Sequence, residues 1–318
     1  MPITAEVQVS KTVLLACEKP FSAAARDEVV AIIKQAGYTA NVLESYKGKA
    51  PLLDAIASAD AAIVRSDVID AEVLDAAKNL KLVVRAGAGY DTIDTAAAKA
   101  KGVAVMNTPG QNANAVAELV FGMVVYVQRN KFNGKVGAEL KGKTIGLHAF
   151  GAVGRAVASI AKGFGMTVYA FDPFVTADQI KAGGAEPASS LEDLYTKSQF
   201  VSLHIPATAE TKGSIGKKLL SLMPAGATLI NTARKEVINE AELLEVFEAR
   251  KDFRYVSDIA PSDATGAVLK EKYDARVLIN AVKSGAQTEE ANVNAGLAAA
   301  RQIVGFFERG EKNFIVNK

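Results

Sequence analysis

Tryptophan is absent from this chain, cysteine occurs once, at position 17, and histidine only twice, at positions 148 and 204. A lone cysteine excludes an intramolecular disulfide framework and suits a reducing compartment. No metal site is expected. Neither charge sign dominates: 37 Lys plus Arg stand against 35 Asp plus Glu, a formal net charge of +2. That balance argues against a dedicated nucleic-acid binder. Long hydrophobic runs are also missing. The longest apolar stretch, AVAELVFGMVVYV, contains Glu118 and is too short to span a bilayer, and the opening MPITAEVQVSK has no apolar core of leader length. A soluble, cytoplasmic protein without a membrane or nucleic-acid partner is expected. With 318 residues, 49% of them apolar, the chain can form one large domain or two ordinary ones.

Short β-branched runs alternate with Ala-rich helical patterns, as in a parallel sheet covered on both faces. KTVLLAC (11–17) reads as a strand and SAAARDEVVAIIKQAG (22–37) as a helix, with Ser22 as cap and Gly37 as stop. YTANVLE, a helix over PLLDAIAS, the strand AAIVRS, a helix over DAEVLDAAKNL, the strand LVVRAG, a helix over TIDTAAAKAKG and the strand AVMNTP complete a first α/β unit. AVAELVFGMVVYVQR (115–129) reads as a long, largely buried helix, and KFNGKVGAELKGK after it has the Gly-rich, charged composition of an interdomain stretch. A second series then begins, with strands TIGLH, TVYAF, FVSLH, TLINT, YVSDI and RVLINAV. It is followed by a final helix, whose composition permits a return to the first unit.

The sharpest motif is TIGLHAFGAVGRAVASIAKGFGMTVYAFD (144–172): an apolar strand, the turn AFGAVG, a helix opening near Val153, and a second strand ending in Asp172. This is the layout of a dinucleotide site. Backbone N–H groups of Phe150, Gly151, Ala152 and Val153 at the helix start suit a pyrophosphate, and the acidic residue suits ribose hydroxyls. Ala149 occupies the first glycine position, which a methyl tolerates if φ stays negative. Asp172 would repel a 2′-phosphate, and PFVTAD after it supplies no arginine, so NAD is expected rather than NADP. His148, inside the first strand, is expected to be packed or hydrogen-bonded.

These residues, with VRS (64–66), VVRAGAGYDTID (83–94), VMNTPGQNANAVAEL (105–119), VSLHIPATAETKGSIG (201–216) and LMPAGATLINTAR (222–234), resemble the D-isomer-specific 2-hydroxyacid dehydrogenases. The resemblance is strongest to short phosphoglycerate-oxidising members without a C-terminal regulatory domain. It implies two Rossmann-like α/β domains, with a parallel-sheet NAD domain (111–289) inserted in a smaller flavodoxin-like substrate domain built from residues 1–110 and the returning segment 290–318. It also implies pairing into a homodimer, an expectation joined here to the large apolar surface of the 115–129 helix.

By the same resemblance, the substrate-orienting arginine is Arg234 and its acidic partner is Asp263, one methylene shorter than the family's usual glutamate. The family's catalytic histidine falls on Lys283 in VLINAVKSGAQTEEAN (277–292), and neither histidine of this chain lies in that late segment. A lysine at its ordinary pKa is a ready acid and a poor base, so the environment must hold or tune it. Further cofactor contacts are implied at Pro173, His204, Ile205, Pro206, Thr211, Thr232, Ala233, Asp258, Ser284 and Gly285. Arg65 and Arg85 end two strands of the first unit. Two guanidinium groups delivered to one edge suit a doubly anionic small molecule, although Asp67 adds negative charge beside Arg65. The resemblance implies substrate contacts there at Arg65, Ser66 and Arg85, with the backbone of Ala86 and Gly87 reaching the carboxylate.

The expected function is NAD-dependent oxidation of 3-phospho-D-glycerate to 3-phosphooxypyruvate, with Lys283 as acid/base and Arg234 orienting the carboxylate and C2 oxygen. Two alternatives stay open: another D-2-hydroxyacid dehydrogenase or 2-oxo-acid reductase, and a non-enzymatic NAD-sensing module of corepressor type.

Overall fold

Among the described residues, every ladder between strands is parallel. Parallel sheets need cover on both faces, which is why the central strands are continuous apolar runs instead of alternating ones. The computed structural model describes residues 10–318, so the opening MPITAEVQV, part of the stretch in which no leader core was read, lies outside the described residues. The described chain divides into two units, Met1–Asn112 with Thr288–Lys318, and Ala113–Gln287.

Unit 1 runs β1 (Thr12–Cys17), α1 (Ala23–Gln35), β2 (Thr39–Glu44), α2 (Ala50–Ile56), β3 (Ala61–Val64), α3 (Ala71–Ala76), β4 (Leu82–Arg85), α4 (Thr95–Ala100) and β5 (Ala104–Asn107). Its sheet order is β2-β1-β3-β4-β5, the flavodoxin-like arrangement. Helix starts follow side-chain caps: Ser22 Oγ accepts from Ala25 N–H, and Asp70 and Asp94 do the same for α3 and α4. Gly37, at φ +79°, turns the chain from α1 into β2.

Unit 2 opens with α5 (Ala113–Gln128) and continues through β6 (Thr144–His148), α6 (Ala152–Gly163), β7 (Thr167–Phe171), α7 (Ala177–Ala182), β8 (Glu186–Pro187), α8 (Leu191–Lys197) and β9 (Phe200–Leu203). Then come α9 (Lys217–Leu220), β10 (Thr228–Asn231), α10 (Glu240–Ala249), β11 (Arg254–Ser257), α11 (Asp263–Tyr273) and β12 (Val277–Ile279). The order β12-β11-β10-β9-β6-β7-β8 is that of a Rossmann sheet, with the reversal of strand order between β6 and β9. The chain re-enters unit 1 as α12 (Glu289–Arg309), which packs on α1, and its tail covers β5 through Val316 N–H to Val105 O at 2.8 Å.

Several details depart from the sequence reading. The Gly-rich stretch 131–143 lies inside unit 2, joining α5 to β6. The apolar face of α5 is covered within its own unit by α6 and the core under the sheet, so its hydrophobicity does not by itself demand a partner. The edge strand β8 was not foreseen, because two residues ending in proline carry no strand pattern.

Ala149 is the clearest correction: its φ is +86°, not negative. The turn is compressed from two sides. Ala149 N–H donates to Phe171 O at 2.9 Å, and a Cβ on Gly154 would come within 2.5 Å of Ala149 O, so α6 starts hard against the turn. An L residue in this region carries strain of about 1–2 kcal/mol. Ala149→Gly is therefore expected to stabilise the chain by about 1 kcal/mol after allowing for the looser unfolded state. Chemical denaturation should show this gain, and an unchanged or lower midpoint would contradict it. The same substitution at Ala156, inside α6, should instead cost about 1 kcal/mol.

Candidate active site

In unit 2 the functional candidates converge because successive β–α turns all leave the same edge of the sheet. The turn 149–151 follows β6, Asp172 and Pro173 follow β7, His204 to Pro206 follow β9, and Thr232 and Ala233 follow β10. Asp258 follows β11, and Ser284 with Gly285 lie just beyond β12. This is the edge where open parallel sheets bind ligands, next to the reversal of strand order.

The residues present fit a dinucleotide. Gly151 caps α6 without a side-chain bond, leaving the first-turn N–H groups to an anion, and a Cβ on Gly151 would meet nothing within 4 Å. Asp172 is oriented by backbone: its carboxylate accepts from Phe150 N–H and Phe174 N–H, each at 2.8 Å. Each oxygen keeps acceptor capacity for a ribose hydroxyl. At the neighbouring strand ends, His204 Nε2 and Thr232 Oγ1 are buried with no hydrogen-bond partner among the described residues. Buried polar atoms rarely stay unpaired, and a polar ligand at this edge would satisfy them. Thr211 closes the loop after β9 through its hydroxyl to Pro206 O.

Asp258 is buried completely, and its surroundings explain the 280–285 loop. Oδ1 accepts from Ser284 N–H at 2.8 Å, Ser284 Oγ at 3.0 Å and Asn280 Nδ2 at 3.0 Å, while Oδ2 accepts from Gly285 N–H at 2.7 Å. Gly285 is required there, since a Cβ would sit 2.7 Å from Oδ2. The aspartate expected to touch the cofactor thus has its carboxylate committed to the loop, and Lys283 stands exposed at the tip of that loop.

Arg234 follows β10, with its carbonyl held by Asn231 Nδ2 at 3.0 Å and its Nη1 donating to Ala233 O at 2.9 Å. Asp263 is exposed in the first turn of α11 and takes part in none of the hydrogen bonds or ion pairs found among the described residues. Ser262, its neighbour, is held by Glu240, which accepts the Ser262 N–H at 2.9 Å.

In unit 1, the ends of β3 and β4 bring Arg65 and Arg85 together, and Arg85 Nε donates to Arg65 O at 2.9 Å. The expected backbone donors are engaged internally: Ala86 N–H bonds Val64 O at 2.8 Å and Gly87 N–H bonds Arg85 O at 2.9 Å. Gly87 has another role. The Arg85 guanidinium folds across it, where a Cβ would overlap Nη1. Ser66 is exposed beside them. Asp67 is buried, and its carboxylate accepts from Glu18 N–H at 2.7 Å, Tyr46 OH at 2.6 Å and Arg65 N–H at 2.9 Å.

Residues 113–287 match the family model described as D-isomer specific 2-hydroxyacid dehydrogenase, NAD binding domain. This chain belongs to that family. It is 33% identical over 273 residues to the D-3-phosphoglycerate dehydrogenase of Methanocaldococcus jannaschii, covering 80% of this chain and 51% of that protein. It is 32% identical to the hydroxypyruvate reductase of Thermotoga maritima, covering 82% of this chain and 89% of the relative. The NAD+-bound crystal structure of the Entamoeba histolytica 3-phosphoglycerate dehydrogenase superposes with a TM-score of 0.87 at 42% identity, covering 97% of this chain and 99% of that one. The chain spans about half the length of several curated phosphoglycerate dehydrogenases that it matches. Its fold and its NAD domain are those of the family.

Sequence reasoning missed Asn280, Asn292 and Phe21. Asn280 interrupts the apolar run VLINAV, which was the available hint. No local sequence pattern marks Asn292 or Phe21.

At this edge His148 is buried, and His204 is partly exposed with its Nε2 buried. Desolvation holds His148, which lies 3.2 Å from Tyr195 OH through Nδ1, at about 4 despite the nearby Asp172. Desolvation and the neighbouring His148 hold His204 at about 3. Unfolded, each would bind a proton near pH 6.5. As pH falls below that value the unfolded state takes up protons that the folded state refuses, so stability is lost, levelling off below the folded pKa. Each histidine should contribute a slope of up to about 1.4 kcal/mol per pH unit between pH 6.5 and 4. Denaturation midpoints across this range should fall less steeply in His148→Asn than in the parent, and parallel curves would refute the assignment.

Proposed function

We propose that the chain oxidises 3-phospho-D-glycerate to 3-phosphooxypyruvate. Bound NAD supplies the hydride acceptor. The Arg234 guanidinium holds the substrate carboxylate and the C2 oxygen with its planar fork, and Lys283 takes the proton of the C2 hydroxyl as C2 is oxidised. Arg65 and Arg85 receive the phosphate. The observation that carries this reading is the pinning of the 280–285 loop: a buried aspartate with four hydrogen bonds gives Lys283 a defined origin at the same sheet edge as the fingerprint turn. The likeness to two phosphoglycerate dehydrogenases supports the choice of substrate.

A second reading, reduction of a 2-oxo acid, is favoured by the hydroxypyruvate reductase relative, nearly all of which the chain covers. Assays with phosphorylated and unphosphorylated substrates in both directions separate the two. Asp263 is assigned the role of holding the Lys283 ammonium, and a homodimer is the proposed assembly. The support for pairing is the exposed apolar pair Phe132 and Val136, the latter 98% exposed, in the stretch after α5.

Lys283→Ala is expected to cut kcat by roughly 10²-fold or more, the range of general acid–base catalysis, with NAD affinity by calorimetry near the parent's. Oxidation at parental rates would make Lys283 an ordinary surface charge. Light scattering should report a dimer, and Val136→Asp should shift it toward monomer; a parent that is monomeric at micromolar concentrations would overturn the assembly.

A further inference from the structure

Arg65 stands at the reversal of strand order in unit 1, where β1 and β3 pair and the chain runs outward to opposite sides. Ligands of open parallel sheets lodge at that position. Its guanidinium is unusually constrained for a partly exposed side chain. Nη1 donates to the consecutive carbonyls of Lys19, at 2.9 Å, and Pro20, at 2.7 Å, in the loop after β1. Nη2 donates to Asn292 Oδ1 on α12, and the guanidinium carbon lies 4.8 Å from the centroid of the Phe21 ring. Asn292 is itself oriented, its Nδ2 donating to Thr288 O at 2.9 Å.

Every one of these partners is neutral. Among the described residues, no carboxylate oxygen bonds the Arg65 guanidinium, and the nearby Asp67 spends its oxygens on Glu18, Tyr46 and the Arg65 backbone. The side chain is therefore immobilised with its charge intact. Among the described residues Nε–H enters no hydrogen bond and Nη2 donates only to Asn292, so the guanidinium keeps donors for an oxyanion. A second arginine, Arg85, hydrogen-bonds Arg65 O from the adjacent strand. Two guanidinium groups at neighbouring strand ends suit a dianion with three acceptor oxygens better than a single carboxylate.

We propose that Asn292 is a positioning residue for substrate selection: with Phe21 and the Lys19 and Pro20 carbonyls, it presents Arg65 to the phosphate of a phosphorylated 2-hydroxy acid. This rests on the phosphorylated-substrate reading above. An amide at 292 holds the guanidinium without neutralising it, which an aspartate of nearly the same shape could not do.

The test uses the full chain with Asn292→Asp, Asn292→Ala, Asn292→Gln and Phe21→Leu. Steady-state kinetics compare 3-phospho-D-glycerate with D-glycerate, and inorganic phosphate is titrated as a competitive inhibitor. Asn292→Asp should lower kcat/KM for the phosphorylated substrate about tenfold, through KM with kcat near the parent's, and weaken phosphate inhibition in parallel. D-Glycerate turnover should be almost unchanged. Asn292→Ala and Phe21→Leu should give smaller losses of the same kind, and Asn292→Gln should recover part of the preference. If the parent prefers the phosphorylated substrate while the Asp and Ala variants keep that preference in full, the positioning role is wrong and the proposed activity stands. A parent without any preference overturns the phosphorylated-substrate reading and this role with it. Equal losses on both substrates would show a merely structural residue and also refute the proposal.

Discussion

The Asp258 carboxylate is the constraint on which the late part of the candidate site depends. Burying an ionised carboxylate costs several kcal/mol unless it is fully hydrogen-bonded. Here four donors reach it, and all come from the segment 280–285. Hydrogen bonds to a charged group contribute about 1.5–3 kcal/mol each. The strand end and the loop therefore stabilise each other: the loop keeps its shape because the aspartate is there, and the aspartate remains buried because the loop satisfies it. Lys283 inherits its position from that exchange.

Unit 1 repeats the device with different residues. Asp67, also buried, follows β3 and accepts from the loops after β1 and β2 as well as from Arg65 N–H. At both sheet edges an aspartate just past an interior strand ties neighbouring chain segments together. In unit 1 the tie shapes the backbone beneath Arg65, in unit 2 the loop beneath Lys283. It also answers the apparent conflict of a carboxylate beside a proposed phosphate site, since the Asp67 oxygens are used by donors of the fold.

The fold was legible to a high degree because its signals are local and repeated. Apolar runs of strand length, capped helices and glycine stops recur along the chain, and strands such as Thr144–His148 and Thr167–Phe171 end where their patterns end. Strand ends near the site were less legible. RVLINAV reads as one strand, yet the strand ends at Ile279, and the Asn280 side chain turns to Asp258, the residue just past β11. The backbone of Ala149 was misjudged for a similar reason. A permitted φ is a property of one residue, but the close approach of α6 and β7 that drives it positive belongs to the packing.

By itself, the sequence determined the alternation that makes a doubly covered parallel sheet, the turn, helix and terminal acid of the dinucleotide site, and the presence of Lys283 in the late segment to which the proposed acid/base role is given. Those features depend on residue type and short spacing. Only the tertiary structure decided which polar groups are occupied. It committed Asp258 to a loop and Asp67 to three backbone and tyrosine donors, engaged the backbone N–H groups of Ala86 and Gly87 inside the unit, and set Asn292, from the far end of the chain, against Arg65. The reason is physical: a hydrogen bond between residues 227 positions apart leaves no local pattern, since it is specified by the packing of whole elements and not by the neighbours of either residue.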